Sequence, residues 1–114
     1  MRNDDLIRLR HMYEAAEEVT QYVNEYERKD LDTDRMLLHS LVHCIQIGEA
    51  AGRVSKETQA ELPSLPWPEM VGMRNHLTHV YFDINHDILW ATGSGHIPSL
   101  LLELRGIPGV SEQG

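Results

Sequence analysis

The chain has 114 residues, which is the length of a single domain, and apolar residues make up 41% of it, so a folded globular protein is expected rather than a disordered one. The net charge of −8 argues against a general nucleic-acid-binding protein, which would present a basic face. It does not exclude an enzyme that holds nucleic acid in a local site. No stretch approaches the roughly 20 apolar residues of a membrane span, and the charged N-terminus indicates no signal peptide.

Helical spacing of apolar residues begins near the N-terminus. Apolar residues recur at steps of three and four from Leu6 onward, which predicts an amphipathic first helix that ends near Arg28. Asp32 or Thr33 can cap a second helix, whose expected end is near Arg53. The first half of the chain is therefore predicted to form two long helices.

Prolines and glycines divide the second half of the chain into shorter pieces. Ser55 begins a short helical turn, and Pro68 fits the first position of a third helix that runs to about Phe82. Asn85 can cap a fourth helix. Gly93 and Gly95 weaken that helix, and Pro98 restarts it.

Four main helices with short links predict an all-α fold, an up-and-down four-helix bundle over residues 1–106, followed by a flexible tail at 107–114. Long helices in so small a chain leave apolar surface uncovered, so we expect a homodimer. The single cysteine, Cys44, lies among apolar residues of the second helix and is expected to be buried and inert. A lone cysteine also suits a reducing, cytoplasmic setting.

The third helix carries the segment at residues 74–81, which reads Arg-Asn-His-Leu-Thr-His-Val-Tyr. At about 100° per residue, Arg74 and Tyr81 share a side of this helix, whereas His79 lies about 140° from Arg74. A straight helix would not bring Arg74 and His79 together. Either the arginine swings around a locally distorted helix, or two copies of the chain contribute these side chains to one shared groove.

Arginine and histidine together suit chemistry at a phosphate. Arg74 offers a permanent charge with a fork of donors, and His79 can transfer protons near neutral pH. RNA carries its own nucleophile, the 2′-hydroxyl, so these two groups would suffice for transesterification without a metal, with Asn75 as a neutral donor. Spacing alone nevertheless favours a plainer interpretation, in which these are a surface arginine and a solvated histidine.

A metal site is the main alternative chemistry. His39 and His43 are four residues apart, His76 and His79 are three apart, and Glu49 lies about a turn and a half from His43. Helical bundles do build metal sites from such pairs. The chain lacks a His-Glu-x-x-His motif and a cysteine pair, so we predict no functional metal.

The segment at residues 74–81 resembles the Arg-x4-His-x-Tyr signature of HEPN-domain toxins of the HepT-like class. The resemblance extends, in family order, over most of residues 5–104. The stretches that carry it are Tyr13 to Glu18, Ile45 to Ala51, Leu65 to Arg74, Ile88 to Trp90, and the pair Ile97 and Pro98.

This resemblance implies a homodimeric four-helix bundle that acts as a metal-independent ribonuclease without a cofactor. It implies that His79 transfers protons, that Arg74 binds the phosphate and the transition state, and that Asn75 supports them. Such proteins are toxins of cytoplasmic toxin–antitoxin pairs, and a minimal nucleotidyltransferase antitoxin of the MntA type attaches AMP to the motif tyrosine, here Tyr81. The implied partners are RNA, that antitoxin and a second copy, with no DNA and no membrane.

Two features depart from this pattern or leave it open. Thr92 to His96 stands where relatives have stronger helix formers, which can kink the edge of the bundle. His43 and His76 are additional histidines that are expected to be incidental polar positions.

A non-catalytic interaction module that partners a nucleotidyltransferase is the alternative function, and the acidic charge favours it more than it favours a ribonuclease.

Overall fold

The computed structural model describes residues 1–77 and 86–111, with the side chains of all of these except positions 44 and 73–77. No strand occurs in these ranges, and the predicted all-α fold class is confirmed. The helices are α1 (Asn3–Glu25), α2 (Arg35–Leu41), α3 (His43–Arg53), α4 (Lys56–Glu61), α5 (Trp67–Leu77), α6 (His86–Ala91) and α7 (Ile97–Arg105).

Four rods make up the described part of the bundle: α1, the pair α2 and α3, α5, and the pair α6 and α7. Helix α3 packs against both α1 and α5, while α1 also packs against α7. The core between them consists of aliphatic side chains, with Leu9, Leu41, Ile47, Met70 and Leu104 fully buried. In the described ranges no helix combines the length and the apolar composition needed to cross a membrane.

The first helix follows the predicted pattern with a shifted end, whereas the predicted second helix is divided at Val42 into α2 and α3. Helix α1 ends at Glu25, and a 3-10 turn at Arg28–Asp32 replaces its predicted last turn. The second rod is capped by Asp34, whose carboxylate accepts a hydrogen bond from the Leu37 amide at 3.0 Å. The predicted cap Asp32 accepts instead from Arg28 and lies 3.0 Å from a ring nitrogen of His86, so its carboxylate is used elsewhere. The predicted end of this rod near Arg53 is confirmed.

A buried carboxylate ties the start of α1 to the start of α4. Asp5 is only 2% exposed and accepts hydrogen bonds from the Ser55 amide at 3.0 Å, the Ser55 hydroxyl at 2.6 Å and the Thr58 hydroxyl at 2.6 Å. The short helix predicted to begin at Ser55 is α4, and the Ser55 hydroxyl caps it by accepting from the Thr58 amide at 3.2 Å. These donors, the Ser55 hydroxyl first, lower the pKa of Asp5 from 3.8 to about 2.

Asp5→Asn is expected to destabilise the protein in a way that depends on pH. Because the folded-state pKa lies below the unfolded value, the ionised Asp5 stabilises the fold fully above about pH 4, and this contribution is lost as the pH falls towards about 2. The linked stabilisation is at most about 2 kcal/mol. Urea unfolding from pH 2 to 7 should therefore show a gap between wild type and variant that is constant near neutrality and closes in acid. Asp4→Asn, the same change at an exposed neighbour, serves as the control, and a gap for Asp5→Asn that did not vary with pH would contradict the prediction.

The fourth rod stays helical through its two glycines. Residues Thr92–His96 form a π-helical turn between α6 and α7, and the Ile97 amide donates to the Thr92 carbonyl. A Cβ added at Gly93 would lie 3.2 Å from Val19 Cγ1, so glycine at this position allows the rod to approach α1 closely. Pro98 follows in the first turn of α7, where its missing amide hydrogen needs no partner.

The described residues after Gly106, for which a flexible tail was predicted, pack onto the bundle as far as Val110. Ile107 is 7% exposed and Val110 is fully buried. The Arg10 guanidinium donates from Nε to the Gly109 carbonyl at 2.9 Å. Apolar burial extends the core to this turn, which begins where α7 ends. The predicted end of the third helix at Phe82 and the predicted cap at Asn85 lie outside the described residues.

Candidate functional site

Helix α5 holds the first part of the segment that carries the predicted chemistry. Arg74 and Asn75 lie in this helix, although their side chains are outside the described part of the structure. His79 and Tyr81 lie outside the described residues, as does the thiol of Cys44. The position of His79 relative to Arg74 therefore stays a prediction from helical spacing.

The start of α5 is firmly anchored. Trp67 is 7% exposed, and its indole Nε1–H donates to the Leu62 carbonyl at 2.9 Å. Met70, one turn later, is fully buried in the core. The helix begins at Trp67, one residue before the predicted start at Pro68. Pro68 still stands in the first turn, where a missing amide hydrogen costs nothing.

Beside α5 lies a groove of about 610 Å³, which we call the α5–α7 groove. One wall comes from the start of α5 and the other from the fourth rod. Its floor includes the buried residues Met70, Thr92 and Leu100, while Glu69 and Glu103 are exposed at its sides. Sequence reasoning missed this groove, because its walls are 16 or more residues apart in the chain. The positions Thr92, His96, Ser99 and Glu103, which share one helical face, were the available signal.

Charged residues connect the start of α6 to the turn after α1. The Arg28 guanidinium donates from Nη2 to Asp87 at 2.6 Å and from Nη1 to Asp32 at 3.1 Å. A ring nitrogen of His86 lies 3.0 Å from the same carboxylate of Asp32. These two partners, His86 first, lower the pKa of Asp32, and the hydrogen bond to Asp87 contributes most to raising the pKa of Arg28. All four groups are partly exposed, so salt screens these contacts.

His39 and His43, the first pair of candidate metal ligands, differ in their surroundings. Both ring nitrogens of His43 have partners: Nε2 lies 2.7 Å from Glu18, and Nδ1 lies 2.9 Å from Gln46. His39, by contrast, is exposed on α2. Among the side chains that the structure describes, which leave out positions 44, 73–85 and 112–114, no group of three or more histidine, cysteine or acidic residues is arranged to hold a metal ion. The second pair, His76 and His79, lies outside those side chains.

The chain is similar to proteins named as ribonucleases. The model of the family described as ribonuclease HepT-like matches residues 12–107. A proposed RNase of Caldanaerobacter subterraneus subsp. tengcongensis is 32% identical over 100 residues, which covers 87% of this chain and 89% of that protein. The probable ribonuclease HepT of Thermococcus cleftensis is 31% identical over 93 residues, which covers 81% of this chain and 84% of the relative.

A proposed RNase of Methanocaldococcus jannaschii is 28% identical over 92 residues, with coverage of 80% and 84%. No solved structure matches the chain. The match to the family model takes in most of α1, all of α2 to α7, and the whole segment at residues 74–81. The chain therefore belongs to the HepT-like ribonuclease family.

Proposed function

We propose that the chain is the toxin of a type VII-like toxin–antitoxin pair and that its activity is metal-independent endonucleolytic cleavage of RNA. Its membership of a ribonuclease family is the observation that supports the activity. The Arg-x4-His-x-Tyr pattern supports the assignment of the residues, which are Arg74, His79 and Tyr81. Anchoring of α5 through Trp67 favours the same region, because a catalytic group needs a rigid support.

The proposed reaction uses only groups of the protein and of the RNA. The 2′-hydroxyl oxygen attacks the adjacent phosphorus, the bond from phosphorus to the 5′-oxygen breaks, and the products end in a 2′,3′-cyclic phosphate and a 5′-hydroxyl. His79 accepts the proton of the 2′-hydroxyl or supplies one to the leaving 5′-oxygen. Arg74 neutralises the charge that builds up on the phosphorane oxygens, and Asn75 donates a further hydrogen bond.

A homodimer is part of this proposal. Because His79 lies about 140° from Arg74 around an ideal helix, one chain does not readily direct both side chains at the same phosphate. Two copies facing each other would supply two histidines, one for each proton, and two arginines. Exposed apolar side chains near the segment favour such an interface: Val71 on α5 is 41% exposed and Ile88 on α6 is 38% exposed.

Inhibition by AMP attachment at Tyr81 fits the same site. Arg74 and Tyr81 are seven residues apart, so they share a side of an ideal helix. A phosphodiester on the tyrosine would bring negative charge and bulk next to the guanidinium. It would compete with the RNA phosphate for Arg74, which links modification directly to loss of activity.

Expression of the unmodified chain alone is expected to arrest growth. Co-expression with a minimal nucleotidyltransferase of the MntA type is expected to restore growth and to raise the mass of the protein by AMP increments, measured by mass spectrometry. Tyr81→Phe, which keeps the ring and removes the acceptor oxygen, is expected to keep its mass. Harmless expression of unmodified protein would contradict the toxin assignment, and an equal mass increase in Tyr81→Phe would exclude Tyr81 as the sole acceptor.

Metal independence has its own measurement. Purified protein is expected to cleave RNA equally well with and without an excess of chelator.

The alternative function, a non-catalytic module that partners a nucleotidyltransferase, is favoured by the charge of −8. It would be supported by unmodified protein that takes up AMP in the presence of the partner but cleaves no RNA.

A further inference from the structure

Two helices, α5 and α6, border the residues to which the proposed chemistry is assigned. On the first side, α5 is anchored in the core through Trp67 and Met70. On the second side, α6 begins at His86, seven residues after His79 in the sequence. The first buried residue of α6 is Leu89, one turn further on. Since helix ends fray, the first turn of α6 depends on polar contacts to keep its place.

These polar contacts come from the 3-10 turn at Arg28–Asp32. Arg28 donates to one oxygen of Asp87 from Nε at 2.8 Å and from Nη2 at 2.6 Å. It also donates from Nη1 to Asp32 at 3.1 Å, and Nδ1 of His86 lies 3.0 Å from the same Asp32 oxygen. We call these four residues, Arg28, Asp32, His86 and Asp87, the Arg28 cluster. The cluster holds the first turn of α6 to a part of the chain that lies 54 to 59 residues earlier.

The 3-10 turn is a firm support for this cluster. Leu31 is 2% exposed and belongs to the core. The amide of Glu27 donates to the Asp30 carboxylate at 2.7 Å, which completes a capping box at the start of the turn. Arg28 therefore extends from fixed backbone, and all three nitrogens of its guanidinium are bonded to carboxylates. Such charge-assisted bonds restrict the direction of the side chain.

The cluster can matter more for catalysis than for stability. Its members are partly exposed, so their ion pairs contribute little to the stability of the fold. A reacting group that is displaced by about 1 Å, however, can lose about 100-fold in rate. Arg74 lies in α5, which has its own anchors, whereas His79 lies between α5 and α6 in the sequence. Loss of the cluster should therefore impair proton transfer more than phosphate binding.

We propose that the Arg28 cluster positions His79 for proton transfer by fixing the first turn of α6, an inference that rests on the proposed ribonuclease function. Arg28 is the central positioning residue, because it alone bonds to both carboxylates of the cluster. It acts through Asp87 directly and through Asp32 on His86, and it does not itself contact the RNA.

The test compares kcat and KM for cleavage of a labelled RNA at fixed pH and salt, with excess chelator. Arg28→Met, which keeps an unbranched side chain and removes the charge, is expected to lower kcat about tenfold, through misplacement of the proton-transfer group. Its KM is expected to stay within about twofold of the wild-type value, because phosphate binding by Arg74 is retained. Arg28→Lys retains the charge and can reach one carboxylate, so it should recover part of kcat.

A double-mutant cycle with Asp87→Asn tests the route of the effect. If Arg28 acts through Asp87, the double variant should be at most about twofold slower than Arg28→Met, since both changes break the same contact. Lys29→Met is the matched control. It removes the neighbouring cation, which pairs with Glu27 at 3.3 Å and not with α6, and it is expected to keep the wild-type kcat. Thermal unfolding and light scattering should show each variant folded and in the oligomeric state of the wild type.

Wild-type kcat in Arg28→Met, or an equal loss in Lys29→Met, overturns the inference and leaves the ribonuclease proposal standing. Fully additive losses in the cycle also overturn it, because the effect would then not pass through Asp87. A rise in KM alone would instead make Arg28 an RNA-binding residue, and a loss that follows unfolding or a changed oligomeric state would make its role merely structural. Either result contradicts the positioning role. Absence of cleavage by the wild type overturns both proposals.

Discussion

Purified protein carrying His79→Ala is expected to cleave RNA at least about 100-fold more slowly than the wild type, because a positioned proton-transfer group contributes about 10²–10⁴-fold to such a rate. Arg74→Ala is expected to lower the rate by a similar factor, since the charge that develops on the phosphorane would lose its counter-charge. Arg74→Lys should recover part of this loss. It retains the positive charge but lacks the planar fork that binds two phosphate oxygens at once.

Two control variants make the same chemical changes away from the segment. His39→Ala and Arg35→Ala both lie at exposed positions of α2, outside the α5–α7 groove, and are expected to keep the wild-type rate. The measurement is the initial rate on a labelled RNA with excess chelator, and thermal unfolding should accompany it to verify that each variant is folded. Undiminished cleavage by both His79→Ala and Arg74→Ala would remove these residues from the catalytic site.

Trp67→Ala is expected to cost about 3–5 kcal/mol of stability, the range for truncating a buried aromatic residue to alanine. Trp67 packs in the core at the start of α5, and its indole nitrogen satisfies the Leu62 carbonyl at 2.9 Å. The variant removes the ring and leaves both a cavity and a partly buried acceptor without its donor. Urea unfolding followed by circular dichroism should show a lower midpoint.

Trp67→Phe separates the two contributions to this effect. Phenylalanine retains most of the apolar ring but has no N–H group, so its cost is expected to be smaller, about 1–2 kcal/mol from the lost hydrogen bond together with the smaller ring. A loss of less than about 1 kcal/mol for Trp67→Ala would mean that the start of α5 is not anchored through this residue. Because α5 carries Arg74, a destabilised start should also lower the midpoint for loss of RNA cleavage on heating.

Several boundaries of the fold could be predicted because local sequence determines them. Ser55 caps α4 with its own hydroxyl, and the apolar repeat of α1 places Leu9 and Val19 in the core. Other helix boundaries differ from the prediction because the side chain expected to cap the helix binds residues elsewhere in the chain. Asp32 was predicted as a cap, but Arg28 and His86 use its carboxylate, and Asp34 caps α2 instead.

The candidate site shows the same division. The residues that carry the proposed chemistry lie within eight positions of one another, so their resemblance to the family signature can be recognised along the chain, although their spacing alone does not indicate a catalytic site. The groove next to them consists of Glu69 and Gly72 on one helix and Ser99 and Glu103 on another. Its existence depends on which faces of α5 and α7 oppose each other, and periodicity within either helix does not specify this.

The amino-acid sequence by itself determined that this protein is helical, that it belongs to a ribonuclease family, and which short segment carries the proposed chemistry. The helical class follows from periodicity over short distances along the chain, whereas the family and the segment follow from the likeness of residues 12–107 to the HepT-like ribonuclease family. Only the tertiary structure decided the burial of Asp5 against Ser55, the packing of Val110 onto the bundle, and the acidic groove beside α5. These depend on contacts between residues far apart in sequence, where the packing of whole helices determines which polar groups meet.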